Sequence, residues 1–191
     1  MWSVLAIVVH VALSFDPSIH SRVVRNGAPA EASAIWRSYG VDLEWDHRAA
    51  AALCLAALVD RTGVADVKQG TVLGTAFVPE DAARGVAPIR IGFDAVDALA
   101  EPSASLNAML HEYAVGTAIG RVLAHEIGHV LLGQPSYHDA SGLMRRNFSS
   151  TDFSRSDRWR FQLEERSVER LHERLSSLTR LPIAPGCPSG E

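Results

Sequence analysis

A histidine, a glutamate and a second histidine four residues after the first constrain this chain more than anything else in it: His125, Glu126 and His129 read H-E-x-x-H. On an α-helix, residues four apart share a face about one turn (~6 Å) apart along the axis. Two imidazoles so spaced can aim nitrogens at one Zn²⁺. Glu126 falls ~100° around the helix from His125, beside such a metal rather than on it, where a general base for water has to be. The motif therefore demands a helix, and residues 117–132 supply one with Ile119, Val122, Leu123, Ile127, Val130 and Leu131. Gly133 stops it and Pro135 forbids its continuation, while its start lies anywhere from Leu106 to Thr117. Two other pairs, His111-Glu112 and His172-Glu173, lack the second histidine and read as solvated helix positions.

A third donor follows the turn. His138 comes after Gly133 and Pro135, and Gly142-Leu143-Met144 comes after His138. Two histidines on a helix and one returning from a turn leave a fourth position open, as catalytic zinc needs. Asp139 next door and Glu164 or Glu165 further on are the alternative third donors. Nearness in sequence makes Tyr137 and Arg146 candidates for oxyanion support. Arg121, one turn before His125, could pair with a carboxylate or meet substrate.

These residues resemble the metzincin metallopeptidases, whose motif is H-E-x-x-H-x-x-G-x-x-H followed by a methionine turn. The resemblance implies His125, His129 and His138 as zinc ligands, Glu126 as base, Gly133 as turn glycine and Met144 beneath the metal. The motif here is elongated, with Gly133 four residues after His129 instead of three and His138 nine after it instead of six. Residues 71–79, T-V-L-G-T-A-F-V-P, are similar to an edge strand of the matrixin branch. There Gly74, Thr75 and Ala76 would pair with an extended substrate. Matrixins place a histidine of a structural zinc site in this segment; Thr75 stands here, so one catalytic zinc and no structural zinc is expected. The implied fold is α+β and zincin/metzincin-like. It has a twisted, mostly parallel sheet of four to five strands and about three helices. The implied activity is that of a zinc-dependent endopeptidase acting on peptide or protein substrates. The alternatives are a non-catalytic, zinc-stabilised protein-binding module, or a gluzincin-type hydrolase using Glu164 or Glu165.

The rest of the chain is read around that centre. A length of 191 residues, 47% of them hydrophobic, suits one catalytic domain over 1–180, divided into 1–133 and 134–180. Residues 181–191, with three prolines and two glycines, read as a disordered tail. A formal charge of −4 and a pI near 6.1 leave no footprint for nucleic acid or an acidic membrane, and a monomer is expected. No Lys or Arg precedes the apolar N-terminal run and no A-x-A-like site follows closely, so residues 3–12 read as a central strand buried on both faces, with His10 in the core. That run is too short to span a bilayer. Family resemblance favours a secreted or periplasmic setting, and an upstream signal stays open. Asn26-Gly27-Ala28-Pro29 should interrupt any helix, which resumes over 29–39. Strands are expected at 41–45, 55–60 and 89–93, a short helix at 95–99 capped by Asp94, and one amphipathic helix over 156–178 with Trp159, Leu163, Leu171, Leu175 and Leu178 inward. Cys54 and Cys187 are either one disulfide or two separate thiols.

Overall fold

Branched aliphatic residues dominate the strands, as extended backbone favours. The computed structural model describes residues 7–45, 53–61, 72–78, 86–100, 107–154 and 157–178. Five strands, β1 (Ile7–Phe15), β2 (Val41–Trp45), β3 (Leu53–Asp60), β4 (Gly74–Ala76) and β5 (Val86–Gly92), form one sheet in the order β2-β1-β3-β5-β4. All neighbours are parallel except β4, which runs antiparallel to β5 at the edge. The register aligns Val9 with Leu43 and Leu53, Leu55 with Ala87, and Val59 with Ile91, and all of these side chains are buried. Ala12 and Ser14 are exposed, so β1 is central in the sheet without being buried on both faces along its length. His10 is buried and its Nε2 lies 3.1 Å from a Glu44 oxygen on β2.

The helices are α1 (Arg22–Arg37), α2 (Phe93–Ala100), α3 (Ala108–Leu132), α4 (Ser150–Ser154) and α5 (Glu165–Leu178), five rather than about three because α2 and α4 are short additions. Helix α1 packs against β2, α3 against β4 and β5, and the two helices against each other. Their seam is made of small residues. A Cβ on Gly27 would meet Gly116 Cα at 3.5 Å, and one on Gly120 would meet the Ala28 carbonyl oxygen at 2.6 Å. Further along, the Trp36 indole N–H donates to the Ala124 carbonyl at 3.1 Å.

Three expectations are corrected. Helix α1 does not break at Asn26–Pro29: it starts at the Ser21 cap, whose hydroxyl accepts from Val24 N–H, and runs through Pro29. Packing of Val24, Ala28, Ala32, Ile35 and Trp36 outweighs the lost N–H and the strain, about 3 kcal/mol. Over the described residues 157–178 of the expected last helix, the chain forms not one helix but a 3-10 turn at Trp159–Phe161 followed by α5. Trp159 is 62% exposed, its indole donating to Asp157, and Phe161 is the aromatic that enters the core. Asp94 lies inside the first turn of α2, which begins one residue earlier, rather than capping it. Cys54 is disulfide-bonded, while Cys187 and the expected tail at 181–191 lie outside the described residues. Among the described residues no helix is long and apolar enough to cross a membrane.

Candidate metal centre

Helix α3 is capped at both ends by its own sequence. Asn107 accepts from Leu110 N–H at 2.9 Å, and Gly133 takes the left-handed conformation (φ 70°) that a side chain would resist. Between the caps, every residue from Ala118 to Leu132 is buried, so His125, Glu126 and His129 sit on a helix packed all round. The chain then turns at Gln134 and Pro135 and brings His138 back. One nitrogen from each of His125, His129 and His138 lies within 4.8 Å of the others.

The turn also orients the rings. His125 Nδ1 lies 2.8 Å from the Leu143 carbonyl oxygen and His129 Nδ1 lies 3.1 Å from that of Gln134. A carbonyl only accepts, so both protons belong on Nδ1 and both Nε2 atoms carry lone pairs. Those two Nε2 atoms face each other at 3.0 Å. Two acceptors that close call for a shared positive centre. Tetrahedral Zn²⁺ with ~2.0 Å bonds holds its nitrogens ~3.3 Å apart, between the 3.0 Å of this pair and the 4.8 Å that bounds all three. Burial drives the His125 pKa down to about 3 and that of His129 to about 4, and lowers that of His138, where the Arg146 cation adds to the effect. All three rings are therefore neutral, as a ligand must be. Burial pushes Glu126 the other way, up to about 8.

Met144 is fully buried with its sulfur against α3, where a Cβ on Gly128 would collide with Sδ. Gly142 (φ 72°) lets the chain turn tightly against the Gln162 carbonyl, which accepts from Leu143 N–H at 2.8 Å. That contact aims the Leu143 carbonyl at His125.

A cleft of about 630 Å³ opens on the histidines. Gly74, Thr75 and Ala76 of β4 line one wall, Pro135 and the stretch from Arg146 to Phe148 another. Other expected residues lie elsewhere. The Tyr137 hydroxyl donates to Asp139 at 2.9 Å, and Tyr137 does not line the cleft. Asp139, an alternative ligand, is buried and taken up by Tyr137, Arg166 and Ser167. Glu164 accepts from the Ser141 N–H and hydroxyl, both at 2.8 Å, and Glu165 is exposed at the start of α5. Arg121 is wholly buried between Glu31 (3.1 Å) and the Asp152 carbonyl (2.7 Å), away from the cleft. His111 pairs with Asp97 at 2.9 Å and His172 is exposed, so neither joins the cluster.

Sequence reasoning missed Phe148, whose ring meets that of His125 edge-on at 5.3 Å between centroids, and the carbonyls of Gln134 and Leu143. Phe148 carries no periodic signal on its loop, and backbone oxygens carry no residue signature at all.

No family model matches the sequence, and no curated protein matches it. Among solved structures the chain is similar to the crystal structure of an archaemetzincin from Methanopyrus kandleri, with a TM-score of 0.53 and 14% identity. The likeness covers 89% of this chain and 96% of that one. At such low identity it shows the fold: a mixed, mostly parallel sheet with helices in the zincin/metzincin-like arrangement.

Proposed function

We propose that this metzincin-like fold houses a zinc-dependent endopeptidase with His125, His129 and His138 as ligands and Glu126 as general base. The observation that carries the reading is the convergence of three neutral imidazoles in a cleft, with a buried carboxyl beside them. Bound there, the cation supplies Lewis acidity, polarising the scissile carbonyl and easing the ionisation of water. Glu126 takes the proton of the attacking water and passes it to the departing amine. A carboxyl whose surroundings resist ionisation holds that proton firmly enough to deliver it, and a cation bound beside it would favour the carboxylate that accepts it in the first place. The carbonyls of Gln134 and Leu143 keep the rings turned to their common point. Substrate lies along β4, which has β5 on one side and the cleft on the other, and adds as a strand beside Gly74, Thr75 and Ala76.

The engagement of Glu164 with Ser141 weighs against a gluzincin-type site. A purely structural metal has no use for Glu126, which weighs against the binding module. The test is zinc content measured together with cleavage of quenched peptides. Glu126→Gln retains one zinc per chain and loses cleavage, and activity that survives in clean Glu126→Gln protein removes this mechanism.

A further inference from the structure

Among the described residues lining the cleft, Arg146 is the one arginine or lysine, and Glu126 the one carboxyl. Five other described arginines are committed to carboxylates. Arg145 pairs with Asp152 at 3.0 Å and lies over the rings of Phe148 and Phe161; Arg160 joins the same carboxylate. Arg121 and Arg158 share Glu31, and Arg166 holds Asp139. Arg146 is exposed and, among the described residues, has no carboxylate partner.

Its backbone is nonetheless fixed. Asp139 N–H donates to the Met144 carbonyl at 2.9 Å, and Asp139 bridges to Arg145 as a short parallel pair. Two residues after Arg146, Phe148 is wedged between the rings of His125, Phe153 and Phe161. A cation is thus presented at the rim from a rigid support. In water at the rim it does little for an oxyanion, which needs a dry, preorganised donor. What it meets is substrate, and a guanidinium pairs best with a carboxylate, through two parallel hydrogen bonds.

We propose that Arg146 selects substrates that place a carboxylate beside the metal centre, as an acidic side chain or as the chain-terminal group. This rests on the peptidase reading of the cleft.

The test is binding of labelled heptapeptides to zinc-loaded Glu126→Gln protein, where no turnover intervenes, read by fluorescence anisotropy. One peptide series exchanges Glu for Gln at each position, and another exchanges a free C-terminus for the amide. The expected result is binding roughly five- to tenfold tighter for the acid member of one series, weakening as salt is raised. Which series responds identifies the source of the carboxylate. Arg146→Ala abolishes the preference, and Arg146→Glu turns it toward Lys-containing peptides. Equal affinity for acid and neutral peptides overturns the proposal and leaves the peptidase reading standing. A preference that persists in Arg146→Ala overturns it too, by assigning the carboxylate to the metal. Failure of every peptide to bind overturns both.

Discussion

Gly74 stands where a side chain would collide with Glu126, the proposed general base. A Cβ there would lie 2.8 Å from Glu126 Oε1 and 2.9 Å from its Cγ, with Ile91 Cδ1 closing the other side at 3.0 Å. Gly74→Ala must therefore displace the carboxyl. We expect cleavage to fall by roughly a hundredfold, with zinc content unchanged, since ~1 Å of misplacement costs that much. Unchanged turnover would show that Glu126 is not held there during reaction. Titration gives a second expectation at this scale, for the metal-free protein. His125 and His129 have folded pKa values of about 3 and about 4, below the ordinary 6.5, so their stabilising contribution is present above pH 6.5 and lost as pH falls. Glu126 has a folded pKa of about 8, above the ordinary 4.5, so its contribution is present below pH 4.5 and lost as pH rises through 8. His125 and His129 against Glu126 make stability fall on the acid side of pH 6.5 by about 1.4 kcal/mol per pH unit, and His138, also lowered, adds to that loss. Glu126 alone makes it fall on the alkaline side by about 1.4 kcal/mol per pH unit. Urea unfolding of chelated protein should peak near pH 6.5, and Glu126→Gln should flatten the limb from 6.5 to 8. The spacing of His125, Glu126 and His129 is legible in sequence because helical periodicity alone sets their directions. Tyr137 misleads because closeness along the chain says nothing of which way a turn sends a side chain; Asp139 has claimed its hydroxyl.

At the scale of elements, the seam between α1 and α3 sorts glycines by what they face. A Cβ on Gly120 would meet the Ala28 carbonyl oxygen and Glu31 Cβ, both at 2.6 Å, and backbone cannot swing aside. Gly120→Ala should destabilise by about 1–3 kcal/mol, a loss of roughly 3–10 °C in Tm for a chain of this size. Gly27→Ala makes ordinary contact at 3.5 Å and should stabilise by up to about 1 kcal/mol through helix propensity. Thermal melts of the two variants check the seam, and equal effects would contradict it. This seam was hidden in the sequence because Gly116, Gly120 and Gly128 read as weak helix formers, whereas their lack of side chains is what brings α1 close. The same packing explains the misreading of Asn26 to Pro29: local propensity argued for a break, and tertiary contact overrode it. Strands are easier, since alternation and branching in Val41 to Trp45 or Ile89 to Ile91 reflect burial directly, although β5 begins at Val86, three residues before the expected start. The last segment failed at Trp159, where an amphipathic count assigned inward a ring that faces solvent.

Across the whole molecule, the candidate ligands come from both sides of the turn after α3. The segment from Gln134 to Met144 contributes His138, orients the other two histidines through its carbonyls, and is tied to the following chain at Gln162 and Glu164. A cation bound there joins the central helix to everything that follows it. Zinc at a thousandfold excess over its Kd should stabilise the fold by about 4 kcal/mol, and chelation should lower Tm accordingly. Hydrogen exchange should quicken first around 134–148 and least in β1 and β3; uniform loss across the chain would contradict the arrangement. His138→Ala should weaken zinc by roughly a hundredfold or more, and Glu164→Ala far less, with the reverse order pointing to a carboxylate ligand. The buried indole at position 36 then acquires a use of its own. Its N–H grips the carbonyl immediately before His125, and its ring edge lies 3.4 Å from where a Cβ on Gly128 would sit. Tryptophan emission, blue-shifted from that dry location, becomes a built-in optical gauge of whether the histidines are loaded once Trp2, Trp45 and Trp159 are replaced by Phe.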